Sequence, residues 1–275
     1  MAIVTVSHEM GAGGSEIGHA VAERLGYRYV DQELISEAAR RYGVLEEKLN
    51  ERDETRPSLF ERFDTETRLF TTVIQTSLYD FAEDDNVILM GRGGQVLLGG
   101  VAHALRVRVM APFELRVKRV MKKMAAQIGE ALDQRTATEM VRRSDAEKAG
   151  RVRYVYEVDG ADPRLYDLVI NTEKLTVSAV TELLVGLVKR PELASTETSH
   201  QLVADRALAS RVRTGLAMDP ETRRHRIEVK AEQGVVTLEG STALDAAVAV
   251  ARSVRGVVNV KTEIVEIPPI PPFVA

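Results

Sequence analysis

The chain has no cysteine and no tryptophan. Without thiols it can form neither disulfides nor thiolate metal sites, which suits a reducing compartment. Aromatic residues make up 5% of the 275 positions, too few for base stacking to dominate recognition. Nor is there an excess of positive charge: 37 Lys and Arg against 41 Asp and Glu leave a net charge of −4, so nothing global points to a nucleic-acid partner. The N-terminus lacks a basic leader followed by a signal-length apolar run, and no window approaches a membrane-spanning length. These absences lead to the expectation of a cytoplasmic protein without a transmembrane segment. The length suits two domains better than one.

What is present begins at the first residues. The apolar run 2–7 (AIVTVS) enters a glycine-rich turn, HEMGAGGSE, and leaves as an amphipathic helix ending near Gly26. A strand, a bare loop and a helix N-terminus in this order hold phosphate: backbone N–H groups line the concavity and the positive end of the helix dipole points into it. Further strands are expected at Val87–Gly91, Leu105–Met110 and Leu168–Asn171, each a nearly continuous aliphatic run, as for parallel strands covered on both faces. Helices are expected between them at 58–82, 112–126 and 176–188. This alternation predicts an α/β doubly wound domain with a mainly parallel sheet.

A complete phosphate loop reads G-x-x-x-x-G-K-[ST]. Here Gly13 takes the place of the last glycine, Gly14 stands where lysine belongs, and Ser15 follows with a hydroxyl. Gly11, Ala12, Gly13, Gly14, Ser15 and Glu16 are therefore candidate phosphate contacts. The bland alternative is a turn that only packs helix on strand. Glu16 either reaches Mg²⁺ through water or stabilises the helix N-terminus.

The stretch GSEIGHAVAERLGYRYVDQELI (14–35) resembles the start of the cytidylate kinase-like family. The likeness continues through VILMGRGG (87–94), FELRVKRVMKK (113–123), the arginine-rich stretch 141–155 and DPRLYDLVINTEKL (162–175). The resemblance implies that Asp31 and Arg92 face an acceptor nucleotide, and that a mobile lid supplies Arg142, Arg143, Arg151 and Arg153 to the transferring phosphates. Arg92, Arg143 and Arg151 are the implied catalytic cations. Arginine forks suit that task because they bind phosphate bidentately. Read from the residues alone, Asp31 is equally a helix N-cap, and the lid arginines equally a solvated helix face. The cations on 113–123 read as mainly solubilising. Histidine and carboxylates nowhere recur at a metal-site spacing, so the only metal expected is Mg²⁺ arriving with ATP.

Residues 189–200 (KRPELASTETSH) are polar and aperiodic. Beyond them a helix, a hairpin around Glu232-Gln233-Gly234, an alanine-rich helix and a last alternating run predict a separate small αββαβ domain. This stretch resembles a BON domain, which implies a ligand- or surface-binding module without catalytic residues. The arginines from Arg206 to Arg226 suit either a solvated face or an anionic surface. The expected division is a kinase-like domain at 1–190, a linker at 191–200, the BON-like domain at 201–267 and a proline-rich tail at 268–275.

The expected function is transfer of the ATP γ-phosphoryl group to a small acceptor, a nucleoside monophosphate such as CMP, with the second module sensing a ligand or docking a partner. The alternative, favoured by the missing loop lysine, is a weak or inactive nucleotide sensor; a purely structural scaffold is a third class. Self-association stays open.

Overall fold

Residues 2–43, 65–128, 132–242 and 244–264 are described by the computed structural model. Five strands, β1 (Ile3–His8), β2 (Arg28–Val30), β3 (Val87–Met90), β4 (Ala104–Met110) and β5 (Leu168–Asn171), form a parallel sheet in the order β2-β3-β1-β4-β5. Side chains alternate between the faces of a strand, so both faces of the central strands are apolar. Ile3, Val87 and Leu89 meet α2 (Gln32–Tyr42) and α3 (Thr65–Glu83) through Leu34, Ile35, Phe70, Val73 and Leu78. Val4, Val6 and Ile88 meet α1 (Gly14–Leu25) and α7 (Val177–Val188) through Ile17, Val21, Val180 and Leu184. Three more helices, α4 (Gly94–Leu97), α5 (Phe113–Ile128) and α6 (Gln134–Tyr156), complete this part.

The doubly wound expectation holds. The strand β2 was not anticipated, because three residues led by an exposed Arg28 carry no apolar run. In the helix expected over 58–82, Phe70, Ile74, Leu78 and Phe81 are buried as the stripe required, while Leu59 and Phe63 lie outside the described residues.

Helix α8 (Glu197–Met218) starts inside the segment expected to connect the two parts. Its start is closed by a capping box: the Thr196 hydroxyl accepts from the Ser199 N–H at 3.2 Å, and the Ser199 hydroxyl oxygen accepts from the Thr196 N–H at 3.0 Å. Beyond it, β6 (Glu228–Glu232), β7 (Val235–Gly240) and β8 (Asn259–Ile264) form a mixed sheet covered by α9 (Leu244–Ser253). Gln233 (φ 48°) and Gly234 (φ 82°) are both left-handed, the backbone a two-residue hairpin turn requires. The proline-rich tail lies outside the described residues.

The two parts share α8. Val203 and Ala207 complete the core formed by α2, α3 and the sheet, whereas Leu208, Val212 and Leu216 complete the core of the mixed sheet. Between the two, the buried Thr76 hydroxyl lies 2.7 Å from that of Ser210 and 2.9 Å from that of Thr214. Two of the arginines weighed as a solvated or anion-binding face do neither. Arg211 pairs with Asp80 and Glu83 of α3, and Arg206 donates to the Leu97 carbonyl at 2.8 Å.

Candidate functional site

The glycine loop lies at the carboxyl end of β1, where ligands gather in open α/β sheets. Gly11 (φ 78°) and Gly13 (φ 85°) are left-handed, and a Cβ on Gly11 would lie 2.6 Å from the Arg116 carbonyl oxygen. Glycine is therefore required there by both backbone and space. Ala12 is buried, its N–H donates to the Glu9 carbonyl at 3.1 Å, and α1 starts at Gly14 directly after the bend. The N-cap is Gly13, which has no side chain to claim the first amides of the helix.

The loop is braced from behind by groups that sequence reasoning assigned to the surface. Arg116 is 5% exposed and forks onto the Asp145 carboxylate at 3.0 and 2.9 Å; its Nε lies 3.3 Å from Glu9, and it donates to the Met10 carbonyl at 3.4 Å. Arg119 donates to Thr172, whose hydroxyl donates to the Ala12 carbonyl at 2.8 Å. These arginines of α5 shape the loop rather than solubilise the helix. Lys123 reaches Glu16 at 3.1 Å. Burial raises the Glu16 pKa, but the bond to its own backbone N–H and the pairing with Lys123 outweigh this and leave it below the ordinary value.

Where a loop lysine is missing, Gly14 lies so close to the His8 side chain that any Cβ would collide with it. Burial, followed by the positive charge of Lys148, lowers the His8 pKa to about 4. Lys148 comes from α6 and donates to the His8 carbonyl at 3.0 Å. Its side chain keeps contact with solvent, yet the protein packed around it lowers its pKa, opposed by Asp145, Asp31 and Glu9. A lysine thus reaches the mouth of the loop from another element.

Arg92 and Asp31 form the opposite wall. Gly91 (φ 66°), Arg92 (φ 54°) and Gly93 (φ 80°) make a left-handed run after β3. The Tyr156 ring fills the space beside Gly93, and its hydroxyl donates to the Arg92 carbonyl at 2.9 Å. The Arg92 guanidinium is 10% exposed and 3.7 Å from Asp31. Burial brings its pKa down to about 10, against the pull of Asp31 and with the help of Arg151. Asp31 precedes α2 without capping it through its side chain; instead it accepts from the Tyr29 hydroxyl at 3.4 Å.

Of the arginines on α6, only Arg151 is brought to this wall. Arg142 lies over the Phe113 ring at 5.5 Å, Arg143 is 78% exposed and pairs with Glu147 at 2.7 Å, and Arg153 is exposed. The inward face of α6 carries Asp145, Lys148, Val152 and Tyr156, a spacing of three and four residues that was present in the sequence. It was hidden by the arginines, which draw attention to the outer face.

Residues 3–174 match the cytidylate kinase-like family, nearly two-thirds of the chain. The chain belongs to that family. Residues 204–268 match the BON domain. Among relatives of this kinase-like chain, a cytidylate kinase of Staphylothermus marinus is 28% identical over 178 residues, spanning 64% of the chain and 90% of that protein. A cytidylate kinase of Methanocaldococcus jannaschii is 26% identical over 181 residues, spanning 65% and 92%. A crystal structure of a protein from Eubacterium ventriosum, described as uncharacterized, shares the fold with a TM-score of 0.54 at 18% identity, covering 69% of this chain and all of that one. The kinase-like fold and relatives support a nucleotide-binding phosphotransferase. No helix among the described residues is long and apolar enough to cross a membrane.

Proposed function

We propose that residues 11–15 hold the phosphates of ATP and that the site moves the γ-phosphoryl group to a nucleoside monophosphate, CMP being the first to test. The observation that carries this reading is Lys148, whose ammonium group sits 3.0 Å from the His8 carbonyl at the mouth of the loop. In a phosphoryl transfer the bond from the γ-phosphorus to its bridging oxygen breaks as one forms to an acceptor phosphate oxygen. The protein must align the two and neutralise the spread charge. The loop amides and Lys148 serve the donor, Arg92 with Asp31 the acceptor, and Arg151 the space between. The Ser15 hydroxyl is a hard oxygen of the kind that suits Mg²⁺, whereas the Glu16 carboxylate is taken up by Lys123. Mg²⁺ bound with ATP would supply charge neutralisation at the phosphates. The BON module would sense a ligand or dock a partner, with the division between the two parts falling inside α8.

Calorimetric titration of ATP with Mg²⁺, followed by coupled turnover across the nucleoside monophosphates, tests the reading. Wild type should bind and turn over. Lys148→Ala should lower kcat by about 10²–10³-fold, the usual loss for one preorganised donor, with circular dichroism unchanged. Arg92→Ala should abolish turnover. Absence of binding would sink the proposal, and tight binding without turnover on any acceptor would make the site a sensor.

A further inference from the structure

At the opposite end of the sheet from the glycine loop, three segments distant in sequence converge. Asp85 precedes β3, His103 precedes β4, and His200 lies in the first turns of α8. His103 Nε2 is 3.0 Å from Asp85 Oδ1, and His200 Nε2 is 3.3 Å from Asp85 Oδ2. Asp85 is 5% exposed and His103 fully buried, while the His200 side chain is 40% exposed and opens the group to solvent on one side. Among the described residues this is the one place where three groups of metal-ligating type gather, with ligand atoms within 4.8 Å of one another. The sequence showed no metal-site spacing because no two of these residues share a turn of helix or a strand.

We infer that Asp85, His103 and His200 form a binding site for one divalent transition cation of the zinc class. Ligand bonds of roughly 2.0–2.2 Å around a tetrahedral centre put neighbouring ligand atoms about 3.3 Å apart. The nitrogen-to-oxygen distances, 3.0 Å to Asp85 Oδ1 and 3.3 Å to Asp85 Oδ2, are close to that edge length, each to a different oxygen of the carboxylate. The donor set, two imidazoles and one carboxylate, suits a borderline cation rather than Mg²⁺ or Ca²⁺, which favour oxygen. The open side beyond His200 leaves room for a water as fourth ligand.

Charge balance points the same way. Among the described residues neither lysine nor arginine pairs with the buried Asp85 carboxylate; its partners are the two imidazoles. A divalent ion would place positive charge directly against the buried carboxylate. Asp85 Oδ2 is buried and, although 3.3 Å from His200 Nε2, makes no hydrogen bond, so it is a polar atom that an ion would satisfy. The bound ion would clasp α8, and with it the C-terminal module, to the amino ends of β3 and β4.

The test uses the untagged full chain, stripped with a chelator. Calorimetry should find one Zn²⁺ per chain, and Co²⁺ should give the visible absorption of a four-coordinate site. His200→Gln changes a half-exposed side chain and should leave the fold intact by circular dichroism. It should weaken Zn²⁺ binding by at least about 100-fold, the upper end of what loss of a mere outer-shell partner costs. The same loss in His103→Gln would add support if that variant folds; His200→Gln decides alone if it does not. No stoichiometric Zn²⁺ on wild type, or affinity unchanged in His200→Gln, would overturn the inference. The outcome is independent of nucleotide binding, since the two sites lie at opposite ends of the sheet.

Discussion

Gly14 and Lys148 divide between two elements what a single loop residue would otherwise supply, and His8 lies between them. Gly14 admits the imidazole, which no residue with a Cβ could do. The imidazole is half-buried beside an ammonium group, and the protein packed around it together with that charge lowers its pKa from 6.5 to about 4. In the native state His8 stays neutral down to that pH, while in the unfolded chain it takes up a proton near 6.5. Between these values the unfolded state binds more protons, so stability is complete above pH 6.5 and falls as pH drops towards 4. Urea unfolding at pH 7, 5.5 and 4 should show this decline, and His8→Gln should flatten part of it; parallel pH profiles would refute the assignment. Gly11, Gly13 and Gly14 were legible as a loop because bare backbone is a local property. The His8 contact and Lys148 were not, because what fills the space above a glycine depends on residues far along the chain.

Helix α6 works as a two-sided element. Asp145, Lys148, Val152 and Tyr156 press onto the glycine loop, the Arg92 turn and Gly160, while Arg142, Arg143 and Arg153 face outward. It is tied to α5 by the apolar cluster of Val117, Val120, Ala137 and Val141 and by the forked pair between Asp145 and the buried Arg116, which also holds Glu9 and the Met10 carbonyl. Asp145→Asn keeps the shape and removes the charge. Losing a charge-assisted bond to a buried guanidinium should cost about 2 kcal/mol, read by chemical denaturation, and should raise KM for ATP by loosening the loop. Unchanged stability would mean that Glu9 suffices alone. The sequence shows a basic stretch here, but charge composition does not say which face of a helix carries the work. The face was encoded in the spacing of Asp145, Lys148 and Tyr156, which differ in chemistry and so form no visible stripe.

The molecule as a whole is joined through α8, whose N-terminal half completes one core and whose C-terminal half completes the other. The hydroxyls of Thr76, Ser210 and Thr214 satisfy one another only when α3 and α8 are docked. The two parts should therefore unfold together. Scanning calorimetry of the metal-free chain should show one transition, and two well-separated transitions would show that the shared helix does not couple them.

Taken alone, the sequence determined the alternation of strands and helices, the glycine turn after β1, the family likeness of each part and a hairpin around Glu232-Gln233-Gly234, which the structure tightens to a two-residue turn. The alternation and the turns rest on hydrophobic period or on backbone freedom, which neighbouring residues settle among themselves, and the family likeness rests on the resemblance of whole motifs. Tertiary structure decided which lysine reaches the loop, which arginines face inward, where the cores meet and how Asp85, His103 and His200 come together. Those outcomes depend on contacts between segments tens of residues apart, and a contact of that kind leaves no periodic trace in the chain.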